Sequence, residues 1–307
     1  MEFFTRLIQS VTTGALILSA LSINAQSVSN TIDPDHTTKY IEILSGDMPL
    51  IISIPHGGYL KPDDIPERIC TDCSKNQDIY TLEIGMKLRE AIYKQTGRLP
   101  YVIINHLHRT RLDPNRNIEE AASGNAMAEE AWTLFHNYID QARLEIETKY
   151  GKGLYVDLHG HRHDIRKIEI GYLLSAEELQ LEEDLLNHET FVEYSSISSL
   201  TRSNLQNLTF TDLLRGPLSL GSMLEELGYP SVPSPTSPYP KPGEPFFSGG
   251  FDTMKHGSSK GGTIDGIQIE LDLDLRSDIE KRDPLSKDLA TALLRFLKTH
   301  YFATLPD

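Results

Sequence analysis

Cysteine is almost missing from the 307-residue chain, with Cys70 and Cys73 as the whole complement. That excludes a small disulfide-stapled fold, in which many cross-links stand in for a core. A zinc site built on this pair would need two further ligands at matched spacing, and thioredoxin-type redox chemistry would need the pair to open a helix after a strand. The pair instead follows Pro62 and Pro66, so a local disulfide that pins a loop is the expectation. Cations are also scarce. There are 29 Lys and Arg against 44 Asp and Glu, a formal net charge of −15 at pH 7. Nucleic acid and anionic membrane surfaces are therefore poor partners, because a protein binds phosphate by displacing counterions with its own cations. No internal repeat marks a solenoid, and beyond the first residues no apolar run is long enough to span a bilayer. Hydrophobic residues at 39% and charged residues at 24% are ordinary for a globular chain that can bury a core.

The exception is the start. Arg6 is followed by a mostly apolar stretch, Leu7–Ile23, and then by Asn24, Ala25 and Gln26. A cationic start, an apolar middle and a small residue before the cut describe a secretory signal peptide over residues 1–25, cleaved after Ala25. Ser10, Thr12, Thr13, Ser19 and Ser22 thin the stretch too much for a stable membrane anchor. The expectation is a secreted or periplasmic protein, with residues 26–307 forming a single domain.

Along the remaining chain strands and helices alternate. Ile41–Ile54 reads as a hairpin-like pair around Ser45-Gly46-Asp47, and Leu99–His106, Leu154–Leu158, Lys167–Leu174 and Ile264–Leu271 read as further strands. Helices are expected at 78–95 with a stop at Gly97, at 125–150 with a stop at Gly151, and at 284–301 opened by Asp283-Pro284. Shorter ones are expected at 176–187, 211–214 and 222–227. This pattern argues an α/β sandwich with a mostly parallel sheet. Seven prolines crowd Pro230–Pro245, which reads as a stiff surface loop because one strand and one helix after it are too little for a second core.

In such sheets ligands bind beyond the carboxyl ends of the strands, and polar residues gather there. His56 follows the apolar Ile51–Ile54, the run His106-Leu107-His108-Arg109 follows Tyr101–Ile104, and Asp157-Leu158-His159 follows Leu154–Val156. Two imidazoles on neighbouring strand ends can share one zinc ion, and a carboxylate commonly completes such a set. Asp78 is one candidate for that carboxylate, equally readable as an ordinary helix-start acid. Asp157 shares a strand face with His159 and could orient its imidazole or ligate directly. Gln268 and Glu270 occupy one face of an otherwise apolar strand. A buried carboxylate there would need a partner, whereas on a solvated edge strand it would need none. Arg109, Arg111 and Arg116, with Asp113 and Asn115, concentrate cationic groups in an acidic chain, either as a carboxylate-binding fork or as a surface salt-bridge cluster. His161 and His163 can line the cleft or stay solvated. His36, His136, His188, His256 and His300 lack neighbours at ligand spacing and read as surface or packing residues.

Taken in order, Ile54-Pro55-His56-Gly57-Gly58, Gln77-Asp78, Arg109 with Asp113-Pro114-Asn115-Arg116, Asp157-Leu158-His159-Gly160 and Ile267-Gln268-Ile269-Glu270-Leu271 resemble the N-formylglutamate amidohydrolase family. The resemblance implies a three-layer α/β/α sandwich like the phosphorylase/hydrolase-like fold of zinc carboxypeptidases. It implies one Zn2+ held by His56, Asp78 and His159, Glu270 as general base, and Arg109 and Arg116 as contacts to a substrate carboxylate or an oxyanion. Arg111, Asn115, His161 and Gln268 are the accompanying candidates for substrate binding. The expected substrate is a small amide bearing a carboxylate, such as an N-formyl amino acid. A metallocarboxypeptidase-like peptidase, a cell-wall amidase and a non-catalytic carboxylate-binding protein are the alternatives. Gly57 and Gly160 depart from the serines more usual in the family, and Tyr59 stands where carboxypeptidases carry a glutamate.

Overall fold

A computed structural model describes residues 39–70 and 73–306, so the leader expected over residues 1–25, like His36, lies outside the described residues. The strands are β1 (Ile41–Leu44), β2 (Leu50–Ile54), β3 (Tyr101–Asn105), β4 (Gly153–His161), β5 (Ile168–Gly171), β6 (Ser231–Val232) and β7 (Ile264–Asp272). They form a sheet in the order β1-β3-β2-β4-β7-β5-β6. The β2–β3, β2–β4, β4–β7 and β5–β6 pairs are parallel, whereas β1 runs antiparallel to β3 and β5 antiparallel to β7. The sheet is thus mixed and mostly parallel, and it carries helices on both faces.

Alternation along the strands explains the layers, because successive side chains point to opposite faces. Ile52, Ile54, Val102, Ile104, Val156, Leu158, Ile267 and Ile269 belong to one core with the helices α1 (Thr81–Thr96) and α11 (Ile279–His300). Ile51, Tyr101, Ile103 and Tyr155 belong to another, with α2 (Ile118–Ala122) and α3 (Ala126–Tyr150). Asn125 caps α3 by accepting from Ala128 N, and Gly151 closes it in the left-handed conformation that glycine tolerates best. The smaller helices α4 (Glu183–Leu186), α5 (Glu189–Tyr194), α6 (Ser198–Ser203), α7 (Phe210–Arg215), α8 (Leu220–Glu226), α9 (Phe251–His256) and α10 (Leu273–Ser277) fill the connections after β5 and around β7.

Three expectations change. β1 and β2 are no hairpin, because β3 lies between them; the Ser45–Asp47 segment bonds to the entry of β3 instead, Asp47 N donating to Leu99 O at 2.9 Å and Leu99 N to Asp47 Oδ1 at 2.7 Å. The helix expected over 176–187 is broken into a short turn at Glu178–Gln180 and α4, and Arg215 takes the carbonyls of Leu179 and Leu181. α11 starts five residues before Pro284, since Asp278 caps it by accepting from Glu280 N at 3.0 Å. The disulfide between Cys70 and Cys73 is present.

Leu293 on α11 is fully buried in the first core. Truncation of a buried leucine leaves a cavity as well as losing transfer energy, so Leu293→Ala should lower unfolding free energy by about 2–5 kcal/mol in a denaturant titration.

Candidate metal centre and cleft

The polar residues of the central strands share one face of the sheet, the face of α3. In register, Ser53 on β2 is paired with Asp157 on β4, and Asp157 with Gln268 on β7. One step further along, His159 on β4 is paired with Glu270 on β7, and Glu270 with Glu169 on β5. Two rows of buried polar groups thus cross the carboxyl ends of the parallel strands. Their alternate neighbours Val156, Leu158, Ile267 and Ile269 keep the opposite face apolar.

His56 comes from the loop after β2 and Asp78 from the turn before α1, and both are buried. Asp78 does not cap the helix with its side chain; Thr81 bonds to its carbonyl, which leaves the carboxylate free to turn inward. Its Oδ2 lies 3.2 Å from His56 Nδ1 and 3.1 Å from His159 Nδ1, and the two Nδ1 atoms are 3.1 Å apart. Each imidazole is held from behind by another carboxylate. His56 Nε2 is 2.6 Å from Asp113 Oδ1, and His159 Nε2 is 3.0 Å from Asp157 Oδ2. Asp157 in turn accepts from Ser53 Oγ at 2.8 Å and Thr253 Oγ1 at 3.2 Å. Asp113 accepts from Arg109 Nε at 2.9 Å and Arg68 Nη2 at 3.3 Å.

These contacts decide the tautomers. A carboxylate behind Nε2 keeps the ring proton there, so both Nδ1 atoms present lone pairs toward Asp78 Oδ2. Three acceptors then converge with no donor among themselves, and although Gly160 N donates to Asp78 Oδ2 at 3.2 Å, the two imidazole lone pairs still face that oxygen, an arrangement that wants a cation. Their spacing is close to the roughly 3.3 Å edge of a tetrahedron with metal bonds of about 2.0–2.1 Å. The donor set of two imidazoles and one carboxylate fits a divalent ion, and Asp157 supports His159 from the far side of the ring rather than joining Asp78.

Without a cation a proton takes this place. Burial opposes a charge on His159, but Asp157, Asp78 and Glu270 outweigh it and raise its pKa well above the usual imidazole value. Burial likewise opposes ionisation of Asp78, yet His56 and His159 hold it well below the carboxylate range. Glu270 moves the other way. Burial pushes it up to about 8, with Asp78 and Glu169 adding to the rise and His159 and Arg109 opposing it. Its Oε1 accepts from Gln268 Nε2 at 3.1 Å, while its Oε2 and Gln268 Oε1 have no hydrogen-bond partner among the described residues.

Beside the triad opens a cavity of about 410 Å³. His56, Asp78, His159 and Glu270 line it together with Arg109, Arg116, Asn115, His161 and Gln268. Arg111 does not. Its guanidinium is turned away from the cavity and donates to Ile65 O at 2.9 Å, because the tight turn His108–Arg111 directs Arg109 to the cavity and Arg111 the other way. His163, read with His161 as lining the cleft or solvated, lines it, and with Arg162 and Phe247, which the sequence reading missed, it forms a further wall. Buried Glu169 organises that wall by accepting from His163 Nδ1 at 2.6 Å and from Phe247 N at 2.7 Å, and His163 stacks on Phe247. The segment Ser248-Gly249 passes so close to Gly171 that a Cβ there would lie 2.6 Å from backbone atoms, so a side chain at 171 would push this wall away. Asp113 and Arg68 were also missed as site residues. The signal for Asp113 was its place four residues after Arg109; Arg68 carried none.

His136 and His256, read from the sequence as lacking neighbours at ligand spacing, are brought together with buried Asp252, their ligand-capable atoms within 4.8 Å of one another and Nδ1 of His136 2.8 Å from Nε2 of His256. His188 caps α5, and His300 is buried beside Leu218 O.

Two solved structures share the fold. One is N-formylglutamate amidohydrolase from Ralstonia eutropha, 14% identical, with a TM-score of 0.51 over 85% of this chain and 98% of that one. The other is a gene product from Agrobacterium tumefaciens, 12% identical, with a TM-score of 0.50 over 85% of this chain and 96% of that one. At such identities the likeness speaks for the fold alone. No protein-family model and no curated protein sequence matches the chain.

The carboxylates behind the imidazoles should matter to metal uptake. Asp157→Asn and Asp113→Asn should each weaken binding of a divalent cation at the triad on the order of 10–100-fold, measured with zinc as the probe in a chelator competition. Glu270 yields a stability prediction for the metal-free protein. Its folded pKa exceeds its unfolded value, so its contribution is present at acid pH and is lost as pH rises toward 8. The unfolding free energy of Glu270→Gln should therefore fall less steeply than that of the parent between about pH 5 and 8, as measured by urea titration at each pH.

Proposed function

We propose that the chain is a zinc-dependent hydrolase of the amide bond in a small carboxylate-bearing N-acyl amino acid, acting in a secreted or periplasmic setting. The observation that carries this reading is the convergence of His56 Nδ1, His159 Nδ1 and Asp78 Oδ2 at one wall of a cleft that also holds an unpartnered Glu270 oxygen and the arginines 109, 116 and 162. The fold it shares with an N-formylglutamate amidohydrolase supports the same reading.

Zinc held by His56, Asp78 and His159 would supply Lewis acidity that makes water nucleophilic near neutral pH. The other steps fall to the chain. Glu270 takes a proton from the attacking water and passes it to the leaving amine. A neutral carboxyl cannot begin that cycle, and the positive charge of an ion beside it favours the ionised form that burial alone disfavours. Arg109 is pinned by its Nε to Asp113, so its guanidinium is fixed before substrate arrives. Arg116, whose Nη1 donates to Asn115 O at 2.6 Å, lies on the same cavity. One guanidinium steadies the developing oxyanion while the other binds the substrate carboxylate. Gln268 holds Glu270 Oε1 in place.

Metal analysis of the purified protein, joined to a hydrolysis screen of N-formyl, N-acetyl and peptide substrates, tests the proposal. About one equivalent of zinc and release of formate or acetate are expected; release of C-terminal amino acids from peptides would instead favour a carboxypeptidase. Glu270→Gln should lower kcat about 10²–10⁴-fold while retaining the metal. Loss of the metal with that change would make Glu270 a ligand and overturn its role as base.

A further inference from the structure

Arg276, on α10, is completely buried, yet among the described residues no carboxylate forms an ion pair with it. Its three guanidinium nitrogens go instead to three backbone carbonyls. Nε donates to Leu271 O at 3.0 Å, Nη2 to His161 O at 2.9 Å, and Nη1 to Ile79 O. These acceptors are not scattered. Leu271 follows Glu270, His161 stands two residues after His159, and Ile79 follows Asp78. One planar fork therefore fastens the three segments that carry two of the triad's ligands and the proposed base, segments that come from β4, β7 and the turn before α1.

The room for this fork is made by Gly160. A Cβ at that position would lie 2.2 Å from Arg276 Cζ and 2.3 Å from Nε, so any side chain there would displace the guanidinium. Gly160 N also donates to Asp78 Oδ2 at 3.2 Å, which brings the same residue into both networks. The backbone of Arg276 is itself anchored, because Arg282 Nε donates to its carbonyl at 2.6 Å while the Arg282 guanidinium stacks over the Tyr80 ring. Burying an unpaired guanidinium is costly, and a hydrocarbon side chain would fill the volume more cheaply. What only arginine supplies is a rigid set of donors aimed in three directions.

We propose that Arg276 is a positioning residue that sets the spacing of Asp78, His159 and Glu270, and that Gly160 is the position that admits it. The geometry stands by itself; its consequence for metal binding rests on the function proposed above.

Lysine keeps the charge but brings one nitrogen in place of three, so Arg276→Lys is the informative variant. Zinc affinity of the folded variant, measured by chelator competition well below its melting temperature, should fall on the order of 10–100-fold, as for other groups that orient ligands. In the metal-free protein the imidazole 15N resonances of His56 and His159, assigned by substitution, should move. Gly160→Ala should produce the same two changes, and combining it with Arg276→Lys should add little to either single loss. A lowered melting temperature with unchanged zinc affinity and unmoved imidazole resonances would reduce Arg276 to a scaffold residue and overturn the inference. So would losses from the two substitutions that simply add. Should the parent protein bind no zinc, the proposed function falls, and the imidazole resonances of the metal-free variants still decide the role of Arg276.

Discussion

A buried point at which two imidazole lone pairs and a carboxylate oxygen meet is unfavourable until something positive fills it, and the surrounding structure is arranged around that requirement. The three atoms stand 3.1–3.2 Å apart. Turning either ring over would relieve the crowding, but Asp113 behind His56 and Asp157 behind His159 prevent it by taking the proton on the far nitrogen. Those carboxylates are buried charges in turn and need their own partners. Asp113 has two guanidiniums, and Asp157 has two hydroxyls and an imidazole. The network therefore extends outward from one small volume until it reaches backbone or solvent.

The sheet makes this affordable by segregating chemistry to one face. On β4 and β7 the residues Leu154, Val156, Leu158, Ile267, Ile269 and Leu271 point away from α3 and belong to one core with α1 and α11, and the buried Asp265 on that face is matched by the Tyr301 hydroxyl at 3.0 Å. Parallel neighbours bring the ends of β2 and β4 out on the same side, while the antiparallel β5 delivers Glu169 into the row of His159 and Glu270. One row thereby carries the proposed ligand, the proposed base and the anchor of the wall formed by His163 and Phe247.

How far the sequence discloses this depends on the range over which each interaction acts. The long helices and buried strands were legible because their periodicity and glycine stops are local. His56, His159, Gln268 and Glu270 were legible as candidates because a polar residue on or just after an apolar strand is conspicuous. Asp78 could not be told from an ordinary helix-start acid, since the choice is made by where its carboxylate turns. The β1–β2 hairpin was misread because a neighbouring strand, remote in sequence, competes for the same edge. Arg111 looked equivalent to Arg109 and Arg116, and only the turn that carries it sends it elsewhere. Arg276 and Arg68 were invisible: Arg276 binds backbone carbonyls, which leave no mark in a sequence, and Arg68 meets Asp113 across 45 residues of chain.

The chain as a whole carries 44 Asp and Glu against 29 Lys and Arg, whereas the cavity gathers the guanidiniums of Arg109, Arg116 and Arg162 beside the triad. Dissolved salt screens charges in water beyond about 8–10 Å, so these three cations act on what enters the cavity and hardly at all on what passes outside it.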